Sequence, residues 1–308
     1  MRGQPTRGTL RPPSFKGCLR PADRRVMARM AGLIAVGALF LAWSAHAAGD
    51  PDVAALQVSL STRGLYAGTI DGEAGAATTA AVMAFQKRKK LVPDGIAGPA
   101  TRKALGRFAR PQLGSRTLDL GAVGWDVVAL QFLLAWHGFP SGTFDGAFGL
   151  HVQSAVMCFQ LYAGLPVVGF AGPRTVAALT APLPRSPLAL SWPLRAAVGD
   201  GFGPRGARFH AGIDIPAALG APVGAAGSGV VTFAAPSDGF GNLVVIAHGA
   251  GVETFYAHLS SITVHAGQSV ARGARVGLVG ATGEATGPHL HLEVHVRGAA
   301  VDPLSALR

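Results

Sequence analysis

A shift of 74 positions lays one stretch of this chain on another without a gap, and that duplication constrains the fold more than any other feature. Leu56-Gln57 falls on Leu130-Gln131, Asp71-Gly72 on Asp145-Gly146, Phe85-Gln86 on Phe159-Gln160, Gly98-Pro99 on Gly172-Pro173, and Thr101 on Thr175. Self-similarity of this kind marks one supersecondary unit used twice. Each unit, 52–106 and 126–180, is expected to form three short helices. Val53, Leu56 and Leu60 mark a helical face that Gly64 ends; Val82 and Phe85 mark a second; Pro99 opens a third that Gly106 closes. Asp71-Gly72 and Asp145-Gly146 suit the turns between the first two helices. These shared residues are architectural. The copies differ where Lys87-Arg88-Lys89-Lys90 gives way to Leu161-Tyr162-Ala163-Gly164. The basic run reads first as a solvated helix end, and Phe139, Phe148 and Tyr162 read as core before they read as a sugar-stacking face.

Pro182, Pro184 and Pro187 make 181–191 an expected extended spacer. From 192 to 308 the pattern changes to short β-branched runs between Gly-rich turns: Gly229–Phe233, Asn242–Ile246, Val252–Tyr256, Ser269-Val270 and Val276–Val279. The expected fold class is therefore multidomain α+β, two small three-helix modules followed by a mainly antiparallel β domain. The turn-rich β pattern also suits a biotinyl or lipoyl carrier domain, but that reading needs an exposed hairpin lysine and no Lys follows Lys103.

Seven of the ten histidines lie after residue 200. His210 and Asp214 are four apart, which puts them on one face of an extended strand. In Pro288-His289-Leu290-His291-Leu292-Glu293-Val294-His295, alternation puts His289, His291, Glu293 and His295 on one face and the aliphatic residues on the other. Two His and one carboxylate form a common catalytic zinc set because three ligands leave a fourth position open. His289 and His291 need not both be ligands; they stand about 7 Å apart along a strand, near enough for one to handle a proton beside a metal that the other holds. His258 lies outside both clusters. Gly212, Gly283 and Gly287 would allow close approach of backbone to such a site.

Gly201-Phe202-Gly203-Pro204-Arg205, His210-x-x-x-Asp214, Tyr256-Ala257-His258-Leu259-Ser260, Gly280-Ala281-Thr282-Gly283 and Gly287-Pro288-His289-Leu290-His291 occur in an order that resembles the lysostaphin-like zinc metalloendopeptidases of peptidoglycan. The resemblance covers about 192–304. It implies that His210, Asp214 and His291 bind one zinc ion, that His258 and His289 act on water and on the developing oxyanion, and that Asn242 and Tyr256 line the substrate groove. Asp200 departs from it, standing where many relatives carry a small hydroxyl residue. The repeats resemble the peptidoglycan-binding domain of bacterial wall hydrolases, which implies peptidoglycan as the partner. Two functions follow as expectations: an endopeptidase cutting peptidoglycan cross-links, or a non-enzymatic wall-binding regulator of the amidase-activator type. The filled ligand and His positions favour the first.

The chain opens differently. Residues 1–29 are Arg-rich, Ala31–Trp43 is almost wholly apolar, and Ala45-His46-Ala47 has the small-x-small pattern of a cleavage site. The expectation is a signal peptide over 1–47, export to the periplasm, envelope or exterior, and no stable membrane span after cleavage, the apolar run falling short of about 20 residues. Segment 1–47 carries a net +7 (seven Arg, one Lys, one Asp), which leaves +4 of the chain's +11. A nucleic-acid partner therefore loses its main support. Of two cysteines, Cys18 lies in the leader and Cys158 in an apolar helical pattern, so no disulfide framework is expected and Cys158 reads as a small buried hydrophobe.

Overall fold

The computed structural model describes residues 49–106 and 111–308; the expected leader lies outside them. Repeat 1 forms α1 (Pro51–Ser61), α2 (Ala76–Arg88) and α3 (Pro99–Leu105), and repeat 2 forms α4 (Trp125–Trp136), α5 (Leu150–Tyr162) and α6 (Pro173–Ala178). The duplicated polar residues have a structural cause. Gln57, fully buried, accepts from Gly72 N at 3.0 Å and donates to Asp71 Oδ1 at 2.6 Å. Gln131 repeats this with Gly146 N at 2.9 Å and Asp145 Oδ1 at 2.8 Å. Each buried amide thus pins an Asp-Gly turn whose glycine sits at φ +74° or +72°, where a side chain would strain the backbone.

The repeats share one core. Leu60 and Phe85 of the first pack in one cluster with Trp125, Phe132 and Phe144 of the second, and Trp125 Nε1 donates to Asp52 Oδ1 at 2.7 Å. Lys87, Arg88, Lys89 and Lys90 are exposed around the end of α2, where cations suit the helix dipole. Phe139 and Phe148 are buried in the core of repeat 2, with half-buried Tyr162 against Phe139. Cys158 is half-buried against the core of repeat 2; the other cysteine, Cys18, lies outside the described residues.

The β domain comprises β1 (Gly203–Arg205), β2 (Arg208–His210), β3 (Ile213–Pro216), β4 (Pro222–Gly224), β5 (Gly229–Ser237), β6 (Gly241–Ala247), β7 (Val252–Leu259), β8 (Ser261–Ile262), β9 (Ser269–Val270), β10 (Arg275–Leu278), β11 (His289–Val296) and β12 (Ala299–Val301). The main sheet runs β12-β11-β7-β6-β5-β9, with β3 also paired to β11, and a small sheet runs β4-β10-β8. The strand pairs are antiparallel. Leu290, Leu292, Val294 and Val296 enter the core with Ile213, Ile215, Val244, Ile246 and Tyr256. As the alternation predicts, His289, His291, Glu293 and His295 take the opposite face of β11.

The helical modules dock on this domain. Ile70 N donates to Gly206 O at 2.9 Å and Phe144 N to Ala207 O at 2.8 Å, so equivalent positions of the two repeats grip the tip of the β1–β2 hairpin. Trp136 meets Phe209 edge-on at 5.3 Å and Phe202 at 6.3 Å between centroids. Ala300 N donates to Gly138 O at 3.2 Å, and the Arg297 guanidinium lies 4.8 Å from the Tyr162 ring centre. The 181–191 stretch, expected as a spacer, ends inside the β core: Leu190 is 3% exposed and its N–H donates to Ala306 O at 2.9 Å. Direct packing replaces the free tether that its prolines suggested.

Candidate active site

His210 and Asp214 do not share one strand. Ala211-Gly212 separates β2 from β3, a break that alternation did not anticipate. Gly212 passes so close to β11 that a Cβ there would collide with the Leu292 carbonyl oxygen and lie 3.0 Å from His291 Cε1. The chain turns under the strand carrying the second His pair, and pairing sets Asp214 opposite His291.

The result is convergence. His210 Nε2 lies 3.1 Å from Asp214 Oδ1 and 3.0 Å from His291 Nδ1, and His291 Nδ1 lies 2.8 Å from Asp214 Oδ1. The remaining atoms are anchored from behind. His210 Nδ1–H donates to Gly201 O at 2.7 Å, His291 Nε2–H to Glu293 Oε1 at 3.1 Å, and Arg205 Nη2 to Asp214 Oδ2 at 2.8 Å. Glu293 Oε2 in turn meets His295 Nε2 at 2.6 Å. Burial alone would raise the Asp214 carboxyl, but hydrogen bonds and charge from His210 and His291 hold it well below the usual carboxylate range. Burial alone would lower His291; Asp214 and Glu293 overcome that and push it up to about 9. Two imidazole nitrogens and a carboxylate oxygen, all within 4.8 Å of one another, fit a metal ion such as zinc, with three protein donors leaving a position open.

His258 arrives by a route that period-2 reasoning misses. β7 alternates with Tyr256 toward the core, so regular pleating would send His258 the same way. The β6–β7 register instead shifts between Asn242 and Val244, and His258 has φ +59°. This bulge turns its ring toward the metal candidates, 4.8 Å from the His289 ring centre and 5.7 Å from that of His291. Its Nδ1–H donates to Thr282 O at 2.8 Å; His289 Nδ1–H donates to Gly287 O at 2.8 Å. Burial holds the His258 imidazole below its usual value, helped by the neighbouring His291 and His289.

Tyr256 corrects the groove expectation. It is 0% exposed on the core face, its oxygen accepts from Ala226 N at 2.7 Å and Thr254 Oγ1 at 2.9 Å, and burial pushes its phenol up to about 12. It cannot touch substrate. Asn242 is half-buried, with its amide donating to Leu259 O at 2.9 Å, so it braces the chain just beyond His258. Arg205, present in the Gly-Phe-Gly-Pro-Arg motif but given no role from sequence, bridges Asp214 and Asp200, the latter at 2.5 Å. Asp200 thereby stands beside a metal candidate, through Arg205 and through Asp214 N donating to the Asp200 backbone O at 2.8 Å.

Residues 208–303 match the model of "Peptidase family M23", and 49–105 and 124–179 match "Putative peptidoglycan binding domain". A 98-residue stretch is 49% identical to the DD-carboxypeptidase/endopeptidase Mpg of Neisseria meningitidis, covering 32% of this chain and 23% of the relative. A 97-residue stretch is 48% identical to the peptidoglycan DD-endopeptidase ShyA of Vibrio cholerae, covering 32% and 23%. The chain thus spans under a quarter of the length of these relatives. Among solved structures, a zinc-containing peptidase from Vibrio cholerae is 39% identical with TM-score 0.36, over 37% of this chain and 39% of that one. The lysostaphin catalytic domain of Staphylococcus simulans is 33% identical with TM-score 0.33, over 35% of this chain and 90% of that one. The chain carries an M23 peptidase domain behind two peptidoglycan-binding domains.

Proposed function

We propose that this chain is an exported endopeptidase that hydrolyses peptide cross-links of bacterial peptidoglycan, with one zinc ion held by His210 Nε2, Asp214 Oδ1 and His291 Nδ1. The convergence of those three atoms beside two further imidazoles is the observation that carries the reading. A bound zinc supplies Lewis-acid polarisation of the scissile carbonyl and lowers the pKa of water toward about 7. With Nδ1 committed to a carbonyl oxygen, His258 and His289 each turn Nε2 away from that anchor, a bare acceptor when neutral and a donor when protonated. His289, whose Nε2 is 3.7 Å from Asp214 Oδ1, takes the proton of the attacking water. The proton that His289 takes from the water passes on to the leaving amine, and His258, in its protonated form, supports the developing oxyanion or relays that proton. Asn242 holds the segment that orients His258. The matched wall-binding domains and the names of the relatives support peptidoglycan as substrate and the cell envelope as the place of action. Among the described residues no helix is long and apolar enough to cross a membrane.

The test is mass spectrometry of fragments released from purified cross-linked peptidoglycan, with chelator-treated protein and His291→Ala as controls. Conversion of cross-linked dimers to monomers, abolished by both controls, is expected. Release that survives His291→Ala, or no release by zinc-loaded protein that binds sacculi, would overturn the reading.

A further inference from the structure

Between repeat 2 and the β1–β2 hairpin lies a cavity of about 560 Å³. Its size falls within the range of small-molecule sites, and domain seams are where such sites preferentially form. One wall is the turn of repeat 2 that carries Ser141, Thr143 and Asp145, with His151 at the start of α5; the other is Arg208 and Phe209 of β2. The next residue along β2 is His210 of the metal set.

Its polar groups divide into those that build the repeat and those the repeat does not use. The Gln131 amide and the Asp145 carboxylate are spent on each other, on Gly146 N and on Ala147 N. Ser141 is 8% exposed, yet among the described residues its Oγ has no hydrogen-bond partner. The repeat does not require that hydroxyl, because the equivalent position of the first copy, 74 residues earlier, is Ala67. His151 likewise replaces Ala77. Arg208 is exposed and pairs with no carboxylate among the described residues. Ser141 and His151 thus belong to the second copy alone and are not part of what the two repeats share.

We propose that this cavity binds the carboxylate-bearing stem peptide of the peptidoglycan strand being cut. The inference rests on the endopeptidase reading above and names where its substrate is gripped. Arg208 meets a free stem carboxylate, and Phe209 gives the peptide's carbon skeleton an apolar surface. A neutral glycan would leave the Arg208 charge unmet.

The experiment uses the full chain carrying His291→Ala and titrates it calorimetrically with an uncross-linked peptidoglycan stem peptide and with the same peptide fully amidated. Binding of the acidic peptide is expected, with amidation, Arg208→Glu and Thr143→Trp each weakening it at least tenfold; the two substitutions attack opposite walls at exposed positions. In the otherwise wild-type chain, Arg208→Glu is expected to raise KM for a cross-linked dimer about tenfold with kcat within twofold and zinc content unchanged. Equal binding of acidic and amidated peptides, indifference to both substitutions, or a fall in kcat with loss of zinc would overturn the proposal. If the wild-type chain cuts nothing while stem-peptide binding still depends on both walls, the endopeptidase reading fails and the subsite stands. If it cuts with KM indifferent to both substitutions, the subsite fails alone.

Discussion

Gly212→Ala isolates the contact on which the metal candidates depend. A Cβ at this position would collide with the Leu292 carbonyl oxygen and stand 2.9 Å from Glu293 Cγ and 3.0 Å from His291 Cε1, where ordinary contact begins at 3.4 Å. The turn or β11 must therefore retreat by about 0.4–0.5 Å at those two side chains and by more at the carbonyl. Backbone strain is not the obstacle, since Gly212 is absent from the positive-φ glycines. Metal sites keep ligand distances within about 0.2 Å, so the retreat cannot be absorbed without moving His291 relative to His210 and Asp214. Forcing a methyl into packed surroundings costs about 1–3 kcal/mol. If about 1.4 kcal/mol of that is relieved by displacing the ligand strand, zinc affinity falls roughly tenfold, and the remainder appears as lower stability of metal-free protein. Competition for zinc against a chromogenic chelator, run beside thermal unfolding in excess chelator, measures both parts. A Gly212→Ala protein that holds zinc within twofold of wild type and unfolds at the same temperature would refute the reasoning.

Glu293→Gln keeps the shape but weakens the acceptor behind His291 Nε2, and zinc affinity should drop by roughly 10–100-fold in the same competition assay. Tyr256→Phe leaves Ala226 N without its acceptor and should cost about 1–3 kcal/mol in denaturant unfolding, while kcat/KM of the surviving folded enzyme stays within twofold because the ring never meets substrate. Trp136 Nε1 is buried without a partner among the described residues, so Trp136→Phe should change stability little while Trp136→Ala, which empties the space beside Phe202 and Phe209, costs about 2–3 kcal/mol, below the range for a fully buried Trp. Burial lowers both His137 and His248 from their usual 6.5; the unfolded chain then binds more protons, so their contribution is fully present above pH 6.5 and is lost as pH falls through the folded values. Unfolding temperature should therefore fall on acidification below pH 6.5, with a shallower slope in His137→Gln.

Legibility in the sequence followed the range of the interactions involved. The duplication was visible because Gln57 and Gln131 each need an Asp-Gly turn about 15 residues on, a local demand written twice in the same letters. The site face of β11 was visible because eight unbroken residues alternate. Alternation failed where the pleat fails: across Ala211-Gly212, and at His258, skipped by the register shift between the Asn242–Leu259 and Val244–Tyr256 pairs, which leaves no periodic trace. The groove expectation for Tyr256 came from the resemblance alone; its place on the core face follows from its pairing with Leu292 on β11. Spacing alone also left His289 and His291 as rival ligands. The register with β3 separates them, setting His291 rather than His289 opposite Asp214.

The docked repeats change what the duplication is for. Ile70 and Phe144 are equivalent positions, and their N–H groups hold Gly206 O and Ala207 O, neighbouring carbonyls at one hairpin tip. Adjacent carbonyls in a tight turn point different ways, so a single module donating from one side satisfies one of them; two copies packed through α1 and α4 supply donors from both. That hairpin ends in Arg205 on one strand, which fixes the second oxygen of Asp214, and in His210 on the other. Two of the three candidate metal ligands are therefore steadied through a loop that the two repeats hold. A tether raises only the effective concentration of substrate, whereas modules docked in this way also steady the geometry of the site.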